Sequence, residues 1–219
     1  MPEIIFNGTA GRIEGHYHQS ADPQAPVALI VHPHPQHGGT MHNKVAYALY
    51  RVFSGLGFNT LRFNFRGVGR SEGKFDNGDG ELNDSASALD WLQAHNPNAS
   101  SCWIAGFSFG SWVGMQLLMR RPEFAGFIAV SPPADRYDFN FLAPCPVSGL
   151  IIQGGADTTV PTESVTKLVN KLKAQRGLEI GYDIIPGADH CFTDHLGEMC
   201  RHVGAYVHQR STPSVRKAG

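Results

Sequence analysis

The sequence predicts an α/β protein, a three-layer α/β/α sandwich whose central sheet has about eight strands, most of them parallel. The main observation is an alternating pattern, in which short apolar runs rich in β-branched residues are followed by longer segments whose apolar residues recur every three or four positions. The chain has 219 residues, 42% of them hydrophobic and 17% charged, which is the composition of a globular protein with a sizeable core.

Eight segments are predicted to be strands. The first two, at residues 4–6 and 12–17, are expected to form an antiparallel hairpin at one edge of the sheet. The other six follow at residues 27–32, 59–64, 102–107, 126–131, 149–153 and 179–185. Because helical patterns separate these six runs, we expect them to pair in parallel with helices on both faces of the sheet.

Five segments are predicted to be helices, at residues 45–56, 82–94, 110–120, 163–175 and 195–209. In the first of them Val45, Leu49 and Phe53 share one face. The chain contains no internal repeat, low-complexity tract or long linker. We therefore expect one domain over residues 1–210, followed by a flexible tail at residues 211–219.

Charge and composition exclude several kinds of partner. The formal net charge is −1, so the basic surface of a nucleic-acid-binding protein is not expected. The best apolar run, residues 27–31, is too short to cross a bilayer, and residues 1–6 do not resemble a secretion signal. The four cysteines form no Cys-x-x-Cys pair and are expected to be reduced thiols in a cytoplasmic protein. A homodimer is compatible with the sequence.

The most specific local signal is the segment GFSFG at residues 106–110, which lies between an apolar strand and an apolar helix. In this context the pattern G-x-S-x-G predicts a nucleophile elbow, a tight turn that exposes the hydroxyl of Ser108. The glycines on either side let the strand and the helix approach each other closely. A glycine-rich turn without chemistry is the alternative reading of this pattern.

A serine hydroxyl needs a base, and an imidazole base needs a carboxylate that orients it. Asp157 and His190 follow predicted strands, in the order along the chain that an elbow serine requires. Both lie in loops after the carboxyl ends of those strands, where ligands bind in open α/β sheets. The nearest rivals are His195 for the base and Asp135 and Asp138 for the acid.

An oxyanion intermediate needs backbone N–H donors. The amide of Phe109, directly after the nucleophile, is one candidate. The other donor should come from the loop HPHPQHGG at residues 32–39, where Pro33 and Pro35 have no N–H. His34 is favoured over Gln36. The same loop suggests a rival function, since His32, His34, His37 and His42 are potential ligands for a metal, but their spacing fits no tetrahedral zinc pattern and we expect no metal.

These motifs resemble those of the α/β-hydrolase superfamily over nearly the whole chain. The resemblance is carried by the early loop with Gly38-Gly39 and Asn43-Lys44, by NFRGVGRSEG at residues 64–73, by the elbow, by GADTTVP at residues 155–161 and by GADH at residues 187–190. The chain most resembles small cap-less bacterial hydrolases related to dienelactone hydrolases and serine aminopeptidases.

The resemblance implies a Ser-His-Asp triad, a small-molecule acyl substrate such as an ester, and no cofactor. Dienelactone hydrolases differ in carrying cysteine where this chain has Ser108. Many relatives have an aromatic residue after the catalytic histidine, where this chain has Cys191. Residues 131–147 leave about 15 residues after the sixth strand, too few for a cap domain.

An open site of this kind favours short-chain esters. Thioesters, amides and peptides remain alternatives, because the same acyl-enzyme serves them all. A hydrolase fold used only for binding is a further alternative.

Overall fold

A computed structural model describes residues 3–211 and contains one eight-stranded sheet. The strand order is β1-β2-β4-β3-β5-β6-β7-β8. The strands are β1 (Glu3–Gly8), β2 (Gly11–His18), β3 (Val27–Val31), β4 (Asn59–Phe63), β5 (Cys102–Phe107), β6 (Phe124–Val130), β7 (Gly149–Gly154) and β8 (Ile180–Ile185). Strands β3 to β8 are parallel, whereas β1 and β2 form an antiparallel hairpin whose second strand pairs with β4. The predicted hairpin at the sheet edge is confirmed.

Five helices cover the two faces of the sheet. They are α1 (Lys44–Gly55), α2 (Asp79–His95), α3 (Phe109–Arg120), α4 (Thr162–Lys173) and α5 (Leu196–Ser211). Buried side chains of α1 and α5 pack against one face, and those of α2, α3 and α4 pack against the other. Strands β3, β5 and β7 are buried along their whole length, as strands covered on both faces must be. The predicted three-layer architecture is confirmed.

Helix α2 begins at Asp79, three residues before the predicted start at residue 82. The apolar pattern begins only at Leu82, but Glu81 starts the helix earlier by capping it. The carboxylate of Glu81 accepts the backbone N–H of Gly78 at 2.7 Å and that of Asp76 at 3.1 Å. Bonds of this kind satisfy backbone donors at a helix N-terminus that have no partner within the helix.

The connection from β6 to β7 is short and contains a single-turn 3-10 helix, Asn140–Leu142, rather than a cap domain. At the end of the chain, Ser211 closes α5, and residues 212–219 of the predicted tail lie outside the described residues. Within residues 3–211, none of the helices combines the length and the apolar character needed to span a bilayer.

Candidate active site

The candidate site lies at the edge of the sheet where the parallel strands end. The loops after β3, β5, β7 and β8 carry His34, Ser108, Asp157 and His190, respectively. Because parallel strands point the same way, their carboxyl ends meet at one edge, and loops far apart in sequence converge there.

Ser108 connects β5 to α3 in a strained conformation, with φ of 52° and ψ of −122°. A left-handed φ is unfavourable for a residue with a Cβ, so the surrounding packing must impose it. Gly106 and Gly110 make that packing possible. A Cβ on Gly106 would lie 2.4 Å from the carbonyl oxygen of Gly110, and a Cβ on Gly110 would lie 2.4 Å from the carbonyl oxygens of Val31 and His32. The predicted strand–elbow–helix geometry is present.

A chain of hydrogen bonds joins the three predicted triad residues. The Oγ of Ser108 lies 3.2 Å from Nε2 of His190, and Nδ1 of His190 lies 2.8 Å from Oδ2 of Asp157. Since an ionised carboxylate only accepts, Nδ1 carries the hydrogen and Nε2 is free to accept the hydroxyl proton. This is the tautomer that a general base beside a serine requires.

The carboxylate of Asp157 is held on both oxygens. Its side chain is buried, and Oδ1 accepts the amides of Thr159 and Val160, each at 2.8 Å. Gln153 donates to Oδ2 at 3.1 Å. Burial by itself would raise the pKa of Asp157, but the hydrogen bonds from His190, Val160 and Thr159 outweigh it and hold the pKa below its ordinary value.

The rival acids and the rival base lie elsewhere. Asp135 forms an ion pair with Arg136, and Asp138 accepts the backbone N–H of Asn140. His195 lies just before α5, whose first residue is Leu196, so the predicted helix start at residue 195 is one residue early. The imidazole of His195 faces Gly187, and among the described contacts none joins it to Ser108.

The loop after β3 is anchored by His32, which is 1% exposed. Its Nδ1 donates to the carbonyl of Pro33 at 2.7 Å, and its Nε2 accepts the backbone N–H of Phe65 at 3.0 Å. Burial lowers the pKa of His32 to about 3, against the hydrogen bond to Pro33, which raises it. His32 is therefore a neutral ring that ties this loop to the residues after β4.

The two residues considered for the second oxyanion donor, His34 and Gln36, differ in their contacts. The N–H of Gln36 donates to Nδ1 of His34 at 3.2 Å, which occupies it inside the loop. The ring of His34 packs against that of Phe109, with centroids 4.7 Å apart. The amide of Gln36 is therefore engaged within the loop, and the ring contact places His34 next to Phe109.

The loop histidines have other partners than a metal. Both ring nitrogens of His32 are used by backbone groups, and Nδ1 of His42 lies 3.3 Å from the guanidinium of Arg62. In the part of the chain that the structure describes, no three His, Cys, Asp or Glu side chains are grouped so that they could hold a metal ion.

Two sets of supporting residues were not predicted from the sequence. Gln153, the polar residue near the end of buried β7, positions Asp157 and also donates to the carbonyl of Val160. The guanidinium of Arg66 forms two hydrogen bonds with the buried carboxylate of Asp84, at 2.8 and 3.0 Å. The sequence signal for Gln153 was a polar residue at the end of an apolar strand, and that for Arg66 was the motif at residues 64–73. Neither signal identifies the residue that the side chain contacts.

A cavity of about 800 Å³ lies between the β6–β7 connection and α4. Its apolar lining includes Tyr137, Phe139, Leu142 and Leu168, but none of Ser108, Asp157 and His190. Of the aromatic side chains close in sequence to Ser108 or His190, Phe107, Phe109 and Phe192 are buried in the core.

Comparison with known proteins gives a family model and many similar proteins, of which three are described. The model described as serine aminopeptidase, S33, matches residues 24–146. An uncharacterised protein of Rickettsia prowazekii is 52% identical, covering 94% of this chain and 89% of that protein. The crystal structure of a protein of unknown function from Agrobacterium tumefaciens, classed with the α/β hydrolases, is 55% identical with a TM-score of 0.94 and covers 96% of each chain. A serine hydrolase without a lid from Xanthomonas campestris is 31% identical with a TM-score of 0.85, covering 95% of this chain and 94% of its own.

Proposed function

Because the chain belongs to the serine aminopeptidase S33 family of α/β serine hydrolases, we propose that it cleaves small carboxylic esters with Ser108, His190 and Asp157 as a catalytic triad. The acyl group is short, in keeping with a β6–β7 connection that holds only a single-turn 3-10 helix and leaves the site open. The products are a carboxylic acid and an alcohol.

One observation carries the proposal: the continuous hydrogen bonding from the Ser108 hydroxyl through His190 to the buried carboxylate of Asp157. A serine hydroxyl is a weak nucleophile until a neighbouring base removes its proton. Here the base and the group that orients it are both within hydrogen-bonding distance, and the strained elbow supports an exposed nucleophile.

The reaction proceeds in two balanced halves. Oγ of Ser108 bonds to the ester carbonyl carbon while its proton moves to Nε2 of His190, and the carbonyl electron pair moves onto oxygen. The amides of Phe109 and His34 donate to that oxyanion. When the pair returns, the carbon–alkoxy bond breaks and His190 gives its proton to the departing alcohol.

Water then repeats the same steps on the acyl-enzyme. His190 takes a proton from the water as its oxygen bonds to the acyl carbon, and returns a proton to Oγ as the acid leaves. During both halves the ionised Asp157 stabilises the imidazolium form of His190. Its lowered pKa keeps it ionised throughout the neutral range.

The family description names aminopeptidases, so a peptide amide is the second candidate bond, and thioesters use the same acyl-enzyme. We favour the ester because an alcohol departs more readily than an amine, so a working triad acts on activated esters first. A hydrolase fold that only binds its ligand is the non-enzymatic alternative.

The first test is turnover of p-nitrophenyl acetate by the wild type and by Ser108→Ala. Loss of the nucleophile should lower kcat by at least about 10³-fold. Ser87→Ala on α2, where the hydroxyl only bonds the carbonyl of Asn83, is the matched control and should retain the wild-type rate. Equal rates for the wild type and Ser108→Ala would refute the proposal.

A second test separates an enzyme from a binding protein. A fluorophosphonate should label Ser108 in the wild type, as shown by peptide mass spectrometry, and His190→Ala should slow the labelling because the base is missing. Failure to label Ser108 in folded protein supports the binding alternative. Matched ester, thioester and aminoacyl amide substrates then rank the three kinds of bond.

A further inference from the structure

We infer that the acyl side of this site is an aromatic-binding surface, and that the preferred substrates are esters of carboxylic acids that bear a flat aromatic ring. The inference rests on the proposed ester hydrolysis at Ser108. It adds the class of acid that the site selects.

The ring of Phe109, the residue after the nucleophile, has five aromatic neighbours: the fully buried Phe65, with centroids 6.0 Å apart, and four outer rings. We call Phe109 and these four outer rings the aromatic cluster. Phe109 is its centre and is 1% exposed. The ring centroids of His34, Trp112, Tyr137 and Phe75 lie 4.7, 5.6, 5.7 and 6.0 Å from that of Phe109, respectively. These four outer rings are all partly exposed, so the cluster presents ring surface to the outside rather than being sealed in the core.

The cluster is attached to the residues that hold the reacting carbonyl. The proposed oxyanion donors are the backbone amides of Phe109 and His34, and the rings of these two residues pack on each other within the cluster. The ring of His190 instead contacts Phe107, at 5.1 Å, and among the described ring contacts none joins it to the cluster. Because His190 gives its proton to the departing alcohol, the cluster lies on the acyl side.

Contacts within the protein hold two of the outer rings in place. Nε1 of Trp112 donates to the carbonyl of Asp138 at 3.0 Å, and the indole lies so close to Gly78 that a Cβ there would be 2.5 Å from it. Tyr137 packs on Trp112 with centroids 4.4 Å apart. Rings that are already immobile lose little conformational freedom on binding, so their contacts count more fully toward affinity.

The chemistry of the cluster favours an uncharged aromatic partner. Burial and the neighbouring His37 lower the pKa of His34, which keeps its ring neutral at pH 7. Offset-stacked and edge-to-face contacts between rings are favourable beyond the area they bury, whereas a puckered aliphatic ring of the same size gains only that area. A flat acyl substituent can reach such contacts with more than one of the four outer rings.

The test compares methyl 3-phenylpropanoate with methyl 3-cyclohexylpropanoate in a pH-stat assay. The two esters have the same carbonyl and the same leaving group and differ only in the remote ring. One aromatic contact corresponds to about 2- to 13-fold in kcat/KM, so we expect the wild type to prefer the phenyl ester by at least about threefold.

Variants assign this preference to the cluster. In Phe75→Leu and Trp112→Leu the phenyl-to-cyclohexyl ratio should fall toward one, because leucine keeps apolar surface but has no ring face. Trp112→Leu also removes the hydrogen bond of the indole, whereas Phe75→Leu removes only a ring. If Trp112→Leu does not fold, Phe75→Leu provides the test alone. Trp91→Leu is the matched control. Trp91 is also partly exposed, but it packs on Phe6 and Tyr17 at the hairpin edge, and its loss should leave the ratio at the wild-type value.

Three results would overturn the inference while leaving ester hydrolysis intact. The first is a wild-type ratio below about three, and the second is a ratio that neither cluster variant changes. The third is a preference that appears only on the alcohol side, for 2-phenylethyl acetate over 2-cyclohexylethyl acetate. By contrast, if none of these esters is hydrolysed by protein whose Ser108 reacts with a fluorophosphonate, the proposed ester activity itself fails.

Discussion

The buried imidazole of His32 makes a quantitative prediction about acid stability. The folded protein holds this ring neutral, with a pKa of about 3, whereas in the unfolded chain the group has its ordinary value of 6.5. Between these two values the unfolded chain binds a proton that the folded protein does not. Stability therefore falls as the pH drops from 6.5 toward 3, and at pH 8 the group contributes no loss.

The size of the loss follows from the two pKa values. A pH of 5 lies about 1.5 units below the unfolded-state pKa of 6.5. Proton binding at this pH therefore stabilises the unfolded chain relative to the folded protein by about 2 kcal/mol. This is a large fraction of the free energy of unfolding of an ordinary domain, about 5–15 kcal/mol. The main cause is burial, which disfavours the charged ring. In addition, a proton on Nε2 would face the N–H of Phe65 and replace an accepted hydrogen bond with a repulsive contact.

Urea unfolding at pH 8 and pH 5 measures this effect in the wild type and in His32→Gln. Glutamine can donate and accept but binds no proton in this range. The variant should be less stable at pH 8, by about 1–3 kcal/mol, yet lose about 2 kcal/mol less than the wild type on acidification. His18→Gln is the control and should follow the wild-type pH dependence. If His32→Gln loses as much stability as the wild type between the two pH values, the reasoning is refuted.

Three further predictions concern the site and its scaffold. Asp157→Asn should lower kcat for p-nitrophenyl acetate by about 10³–10⁴-fold, because the orienting carboxylate is lost while the side chain keeps its size; a loss under tenfold contradicts the assigned role. His34→Pro should turn over this ester about 10²-fold or more slowly than His34→Ala. Both variants lack the imidazole ring, but only proline lacks the backbone N–H, and the native φ of −54° is one that proline adopts. Gly110→Ala should lower the free energy of unfolding in urea by about 2 kcal/mol or more, because its Cβ meets two carbonyl oxygens. Gly197→Ala, in open space on α5, should raise that free energy by about 0.5–1 kcal/mol. Equal effects of the two substitutions would contradict this explanation.

The sheet and its helices could be predicted because local patterns determine them. Alternating runs of β-branched and helical residues indicated all eight strands and all five helices, and the short connection after β6 indicated that no cap domain is inserted there. The elbow could also be predicted locally, since its two glycines and its serine lie within five consecutive residues. The glycines are needed because a Cβ at either position would clash with neighbouring backbone, and the sequence pattern already contains this requirement.

Contacts between distant segments were harder to predict. The sequence left His34 and Gln36 open as oxyanion donors, because only the folded loop shows that the Gln36 amide turns back onto the ring of His34. Likewise nothing local indicates that His32 bonds to Phe65, 33 positions away, or that Arg66 pairs with Asp84. Such pairings depend on how loops cross at the sheet edge, which residue types alone do not encode.

The position of β8 at the end of the sheet has a consequence for how activity appears during synthesis. Ser108 leaves the ribosome 82 residues before His190, and His190 follows a strand that pairs with β7 alone. The nascent chain can complete its central strands while the serine still has no base. Under the proposed mechanism, Ser108 can attack an ester only after β8 has paired with β7 and brought His190 into place. Partial opening of this edge in the folded protein would then remove the base again without unfolding the rest.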